Sequence, residues 1–479
     1  MLKAFIRDGA IYGVLRVLTG GIAVLLLPLY TRALAPSEYG LLELVTILGT
    51  VCTTIMTLEV AQGLARHYAL GSSARERKLF ASTAFWFTTA SFSLAVVIVW
   101  FFAPAIARVL SGSAAHAGAL RIAVAAIAGQ AMLYAVLTGI RYAGRALHYA
   151  VGSLTFSAAA IGAALFFLVK LRWGLPGVFA AQLFASAVAV AVSCLLAREE
   201  IGFVFDGRKL RQMLQFSAPL VLSTLGVLAA TYADRIAVRS FLTIDTLGVY
   251  SVGARVASAV TIAMAAFQMA LSPLIYKHHA EPEAPMNIER LFRWFVAATS
   301  VPLLFVGVFA TDIVRIAATR AYDGAAAVIF LLGLSALVGN LYLFAPGLWI
   351  ARRTGTIAAI NLAVATSSLL LSMLVVRRLG FPGVALVSCV VAFVSFSVQL
   401  ALSQRSYRVP LQWGRLLPAA GVLVFFAVAG WLWNLAAADV VVKSLVFVTS
   451  SALVFFTLIR RDEIRAGLGH FGATNAVPR

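Results

Sequence analysis

Eleven stretches of this chain run for 18 residues or more without an Asp, Glu, Lys or Arg: 79–107, 122–140, 146–169, 173–197, 212–233, 256–276, 294–311, 324–351, 354–376, 379–404 and 416–438. An uncharged apolar run of about 18 residues is long enough, as a helix, to cross the hydrocarbon of a bilayer. Three more apolar segments each carry charge: about 9–31 (Arg16), 40–66 (Glu43 and Glu59) and 440–459 (Lys443). Fourteen transmembrane helices are therefore expected. Apolar residues occupy all faces of these segments, which excludes amphipathic surface helices. A membrane β-barrel needs strands of about ten residues with alternating polarity, and these runs are too long and do not alternate.

The fold class is thus an all-α polytopic membrane protein. Composition agrees: 62% of residues are hydrophobic and 12% charged, against about 25% charged in an ordinary soluble domain. The first segment reads as a retained helix, because Arg16 interrupts it and bulky Pro28-Leu29-Tyr30 closes it where a signal peptidase would need small residues. Cys52, Cys194 and Cys389 fall inside expected helices and form no metal or redox motif. No cofactor or metal motif is present, and there is no P-loop. The polar stretches 273–293 and 460–479 are too short to bury a catalytic core.

The formal charge of +20 invites a nucleic-acid reading, but its placement argues against one. With fourteen helices, the connections on the side of both termini carry 24 Lys and Arg, and the opposite set carries 11. Basic residues concentrate on cytoplasmic loops, so both termini are expected in the cytoplasm and no nucleic-acid partner is implied. Trp100, Trp173, Trp294, Trp349, Trp413 and Trp431 lie near expected helix ends, where interfacial aromatics collect.

The chain also matches itself. Gly40, in Pro36-Ser37-Glu38-Tyr39-Gly40, aligns with Gly248, in Asp245-Thr246-Leu247-Gly248-Val249-Tyr250, at an offset of 208, and Tyr68 meets Tyr276 at the same offset. An offset of six helices preserves orientation, so the halves are expected to be parallel repeats. The segment Leu29-Tyr30-Thr31-Arg32-Ala33-Leu34-Ala35-Pro36-Ser37-Glu38-Tyr39-Gly40 resembles the entry signature of the polysaccharide transporter family. Two later segments resemble its second half: Phe216-Ser217-Ala218-Pro219-Leu220 leading to Asp234-Arg235 and Gly248-Val249-Tyr250, then Phe267 to Tyr276 around Pro273. That family contains the Wzx-type O-antigen flippases of the MOP exporter superfamily. The resemblance implies a MATE-like fold: six-helix lobes over 1–205 and 206–405 facing a central cavity, with two peripheral helices and a tail over 406–479. It also implies movement of an undecaprenyl-pyrophosphate-linked oligosaccharide to the outer leaflet of the bacterial inner membrane.

Charges inside membrane helices are expensive and often functional. Arg16, Arg235 and Arg255 would together lose about 7–10 kcal/mol on insertion scales unless they face water, acids or headgroups. Guanidinium groups bind pyrophosphate through forked hydrogen bonds, so these three are the candidate substrate-binding residues. For Arg16, snorkelling to the cytoplasmic interface is the competing reading. Asp234 and Glu59 are candidates for carrying a coupling proton, with ion pairing to an arginine as the alternative; sodium coupling is equally open. Glu43, about one turn into its helix, weighs less. Gly40 and Gly248 suit tight turns or close helix approach, and Pro219 and Pro273 suit helix bends or hinges.

Three functions compete. The first is the lipid-linked oligosaccharide flippase. The second is another MOP-type exporter, of lipid II or of cationic drugs; the helix charges are mixed and do not choose between these. The third is a membrane enzyme of glycan assembly, which would be expected to carry a substantial outer loop that this chain lacks.

Overall fold

A computed structural model describes residues 13–459 except 16, 17, 23, 72, 279, 280, 352 and 433–438; the side chains of 69, 70, 263, 265–278, 354 and 427–432 are likewise outside the described set. Arg16 and the side chain of Pro273 therefore lie outside the described residues. The protein is 89% helical, with no strand among the described residues. Among the described residues, eleven helices are long and apolar enough to cross a membrane, and further helices accompany them.

The chain forms two compact units. The first comprises Met1–Val252, Ala317–Tyr322 and Asn361–Gly380. In it, α1 (Leu27–Ala33) ends the candidate span Gly13–Ala33. It is followed by α2 (Pro36–Thr57), α3 (Val60–Leu70), α4 (Ala74–Ser111), α5 (Ala117–Tyr142), α6 (Ala146–Ala164), α7 (Gly174–Leu196) and α8 (Gly207–Phe241). The helix α9 (Ile244–His278) begins in this unit.

Local sequence sets these boundaries. Pro36 opens α2, where its missing N–H is no loss, and the Glu38 carboxylate accepts from the Ala35 N–H at 3.0 Å. Ser73 caps α4 by accepting from Glu76 N–H, and Gly112 stops it with φ 76°. Asp206 caps α8 through Arg208 and Lys209 N–H. The long helices then pack through small residues, as membrane helices do. Ala126, Ala185 and Ala189 are fully buried, and Gly152 sits so close to Leu137 that a Cβ would fall 2.7 Å from its Cδ2.

The second unit comprises Gly253–Ile316, Asp323–Ile360 and Phe381–Arg479. It holds the rest of α9, α10 (Ala284–Val308), nearly all of α11 (Ala310–Ala317), α12 (Ala326–Gly339), α13 (Gly347–Ile350), α15 (Trp413–Leu432) and α16 (Val440–Leu458). The intervening α14 (Thr354–Ser406) is two helices joined at Gly380 (φ 63°, ψ −157°), a conformation open to glycine, two residues before Pro382. The sequence separates 354–376 from 379–404 at that place; the chain bends there without an intervening loop.

Two basic residues are buried in helices: Arg293, which the sequence placed at the end of the polar stretch 273–293, and Lys443, which it placed in the apolar segment 440–459. Arg293 lies inside α10, 1% exposed; its Nε pairs with Glu289 Oε1 at 2.7 Å and its Nη1 donates to Leu458 O at 2.6 Å. Lys443 lies inside α16, 2% exposed, with Nζ 2.6 Å from Asp312 Oδ2. Each buried cation has a carboxylate because an unpaired one would be expelled.

Candidate functional site

The second helix organises the site. At its start, Gly40 and Glu43 are three residues apart and share a face. Gly40 lies against the start of α9: a Cβ added there would run into Ile244 O and lie 3.1 Å from Gly248 N. Conversely, a Cβ on Gly248 would run into Pro36 O and lie 3.0 Å from Gly40 N. Pro36 and Ile244 are also 208 residues apart. Each glycine therefore meets a carbonyl 208 residues from the one that meets the other. Such reciprocity marks an isologous contact and places a local pseudo-twofold axis between the two glycines.

Two neighbouring hydrogen bonds have donors at the same offset, with acceptors 207 residues apart. Thr31 Oγ1 donates to Ala317 O at 2.5 Å, and Arg239, 208 residues after Thr31, donates from Nη2 to Leu110 O at 3.2 Å. Tyr322 Oη adds a bond to Leu34 O at 2.9 Å.

About two turns into α2, Glu43 is tied to the end of α8. Arg235 Nε donates to Glu43 Oε1 at 2.8 Å, and Nη1 donates to Asp234 Oδ1 at 3.1 Å. Asp234 Oδ2 accepts from Tyr250 Oη of α9 at 2.7 Å. The Arg235 guanidinium also lies over the Tyr232 ring at 5.6 Å from its centre. Glu43, Asp234, Arg235 and Tyr250 thus form one network joining α2, α8 and α9. Two carboxylates face one guanidinium, so the network is acidic overall. Arg235 Nη2 is the edge of the fork left without a partner among the described residues.

The other end of α2 is built differently. Leu58 and Glu59 both adopt left-handed backbone (φ 48° and 54°), which separates α2 from α3. Non-glycine residues enter this region at a cost, and consecutive ones persist only where surroundings hold them. Ser217 Oγ of α8 supports the break by donating to Leu58 O at 2.8 Å. Beside it lies a cavity of about 140 Å³ lined by Thr53, Thr54, Thr57, Glu59, Thr88, Tyr134 and Thr138 among apolar neighbours. No described residue donates to the half-buried Glu59 carboxylate.

Of the residues expected from sequence, Gly40, Gly248, Asp234 and Arg235 come together. Glu59 stands apart at the cavity. Pro219 lies inside α8 two residues after Ser217. Arg255 belongs to the second unit, where its carbonyl accepts from Ser258 Oγ at 2.6 Å. Sequence reasoning gave too little weight to Glu43, and it missed the threonine wall. The wall had a signal: Thr50, Thr53, Thr54 and Thr57 recur at 3, 4 and 7 residues along one face.

A family model described as "Polysaccharide biosynthesis protein" matches residues 5–279, more than half of the chain. No curated sequence matches it. Among solved structures, the chain resembles the lipid II flippase MurJ in an inward closed conformation, with TM-score 0.69, 13% identity, and 96% and 100% of the two chains covered. It also resembles an inward-facing multidrug resistance MATE family transporter of the MOP superfamily, with TM-score 0.67, 12% identity, and 82% and 97% covered. A third neighbour is the Vibrio cholerae MATE transporter VcmN in its bent form, with TM-score 0.53, 16% identity, and 84% and 98% covered. At these identities the likeness establishes the fold.

Proposed function

This chain belongs to the polysaccharide biosynthesis protein family, and we propose that it is a MOP-type flippase moving an undecaprenyl-pyrophosphate-linked oligosaccharide from the cytoplasmic to the outer leaflet by alternating access. The reciprocal Gly40–Gly248 crossing, fastened by the Arg235–Glu43 pair, carries the mechanism. It joins corresponding helices of the two repeats at one end of the molecule. Alternating access requires such a contact to close and open in turn. The family description supplies the glycan class.

In this reading fourteen helices span the bacterial inner membrane with both termini in the cytoplasm. Residues 1–205 and 206–405 are the repeats, and 406–479 lie outside them. Closure holds Arg235 against Glu43 and Asp234. Opening breaks the Glu43 contact, and the freed fork then binds the substrate pyrophosphate as a charge-assisted pair. Arg16 and Arg255 are the companion sites for the same group, and Pro219 and Pro273 are bend points. Asp234 and Glu59 are the coupling carboxylates. Binding a proton or sodium at either would bias the equilibrium only by its difference in affinity between the two states.

The test is leaflet translocation in proteoliposomes, with a defined undecaprenyl-pyrophosphate oligosaccharide, lipid II and a cationic dye as parallel substrates. Flipping of the oligosaccharide, lost in Arg235→Ala and partly kept in Arg235→Lys, supports the reading. Export of the dye with no flipping of either glycolipid sinks it.

A further inference from the structure

We propose that the cavity at the α2–α3 break is a sodium-binding site, with the Glu59 carboxylate as its charged ligand. Three independent features converge on a small cation. The first is the backbone. The chain leaves the helical ladder at Leu58 and Glu59, both with positive φ. A helix end of this kind carries the negative end of the dipole, although Leu58 O is already taken by Ser217 Oγ. In membrane proteins, interrupted helices of this sort present carbonyls to sodium.

The second feature is the state of the hydroxyls. Thr53 donates to Gly49 O at 2.7 Å, Thr54 to Thr50 O at 3.2 Å, Thr57 to Thr53 O at 2.9 Å, and Thr88 to Ala84 O at 2.9 Å. Each hydroxyl proton is spent on its own helix, so each oxygen keeps only lone pairs to offer. These four oxygens face the cavity as acceptors, which favours a cation over an anion, and Tyr134 and Thr138 add two further hydroxyls. The third is Glu59, a carboxylate with no donor among the described residues, on the wall of a space of about 140 Å³, room for several waters or an ion with part of its hydration.

One carboxylate balances one positive charge, which favours a monovalent ion. No group of three or more His, Cys, Asp or Glu that could hold a metal occurs among the described residues, so the ligand set for a divalent or transition metal is lacking. Oxygen donors of hydroxyl, carboxylate and carbonyl type suit a hard cation. The site itself does not depend on what the protein transports. Its use as the driving ion of the cycle rests on the flippase reading.

The experiment is binding of radioactive sodium to the purified full-length protein in nanodiscs, without glycolipid. Saturable binding is expected, insensitive to excess choline, and weakened at least about tenfold, about 1.4 kcal/mol, in Glu59→Gln. Thr88→Val keeps the carboxylate and the side-chain shape but removes one oxygen, and it should weaken binding severalfold. Asp323→Asn, in the other unit, should bind as the wild type does. Absence of saturable binding to the wild type overturns the proposal, as does equal binding by Glu59→Gln. A site that releases or takes up a proton but ignores sodium also overturns it. Because glycolipid is absent, none of these results depends on whether the flippase reading holds.

Discussion

The two ends of α2 handle the same problem, a carboxylate on an apolar helix, in opposite ways. At Glu43 the protein supplies the counter-charge from 192 residues away, through Arg235, and a glycine crossing brings the backbones into contact. At Glu59 it supplies none among the described residues: it breaks the helix, lines a cavity with hydroxyls and leaves the charge open. A buried charge must be compensated, by the protein or by something bound. The first end is therefore a fastening, whose removal should be felt by the fold. The second is a receptor, whose removal should be felt mainly by its ligand.

The largest expected effect is at the fastening. Arg235→Ala would leave Glu43 and Asp234 facing each other in an apolar setting, and breaking a buried pair this way costs about 3–5 kcal/mol. Denaturant unfolding in detergent should read this loss. Adding Glu43→Gln should return part of it, since the two residues are in direct contact and their effects cannot be additive. Independent, additive losses would show that the pair does not fasten the helices. Next comes the crossing. Gly248→Val would push a side chain into Pro36 O, and overpacking of this kind costs about 1–3 kcal/mol. The same change should trap the protein away from the closed form, seen as loss of an engineered crosslink across that end. Smaller still is Tyr250→Phe, which removes one hydrogen bond to an Asp234 still held by Arg235, for about 1–2 kcal/mol.

The same contrast shows what the sequence could reveal. Hydropathy alone marks the helices, because the bilayer demands long uncharged runs wherever it is crossed. The 208-residue offset was also legible, since close helix approach needs glycine on both sides and so leaves Gly40 and Gly248 as matching marks. Partners were not legible. Glu43 and Arg235 are 192 residues apart, and Lys443 and Asp312 are 131 apart; no local pattern connects such pairs. The Arg293–Glu289 pair had a visible spacing of four, but both sit in a polar stretch that reads as a connection. The break at Leu58–Glu59 lacks glycine and proline, the usual marks of a backbone turning, so the only clue was the charge itself.

Glu59→Gln should have the smallest effect on the fold, within about 0.5 kcal/mol in sodium-free buffer. The reason is what the carboxylate lacks. Truncating Arg235 orphans its partners, whereas neutralising Glu59 strands no donor among the described residues and removes a charge from a half-buried site. Its left-handed backbone is no worse for glutamine than for glutamate, so the α2–α3 break should survive. Sodium should then separate the two proteins. A ligand that binds only the folded state adds RT ln(1 + [L]/Kd), about 2.7 kcal/mol at a hundredfold excess over Kd. The wild type should therefore gain stability as sodium replaces choline, and Glu59→Gln should not. Equal sodium dependence in both would place the ion elsewhere. A strongly destabilised Glu59→Gln in choline would mean that Glu59, like Glu43, is a fastening, and the two ends of α2 would no longer differ in kind.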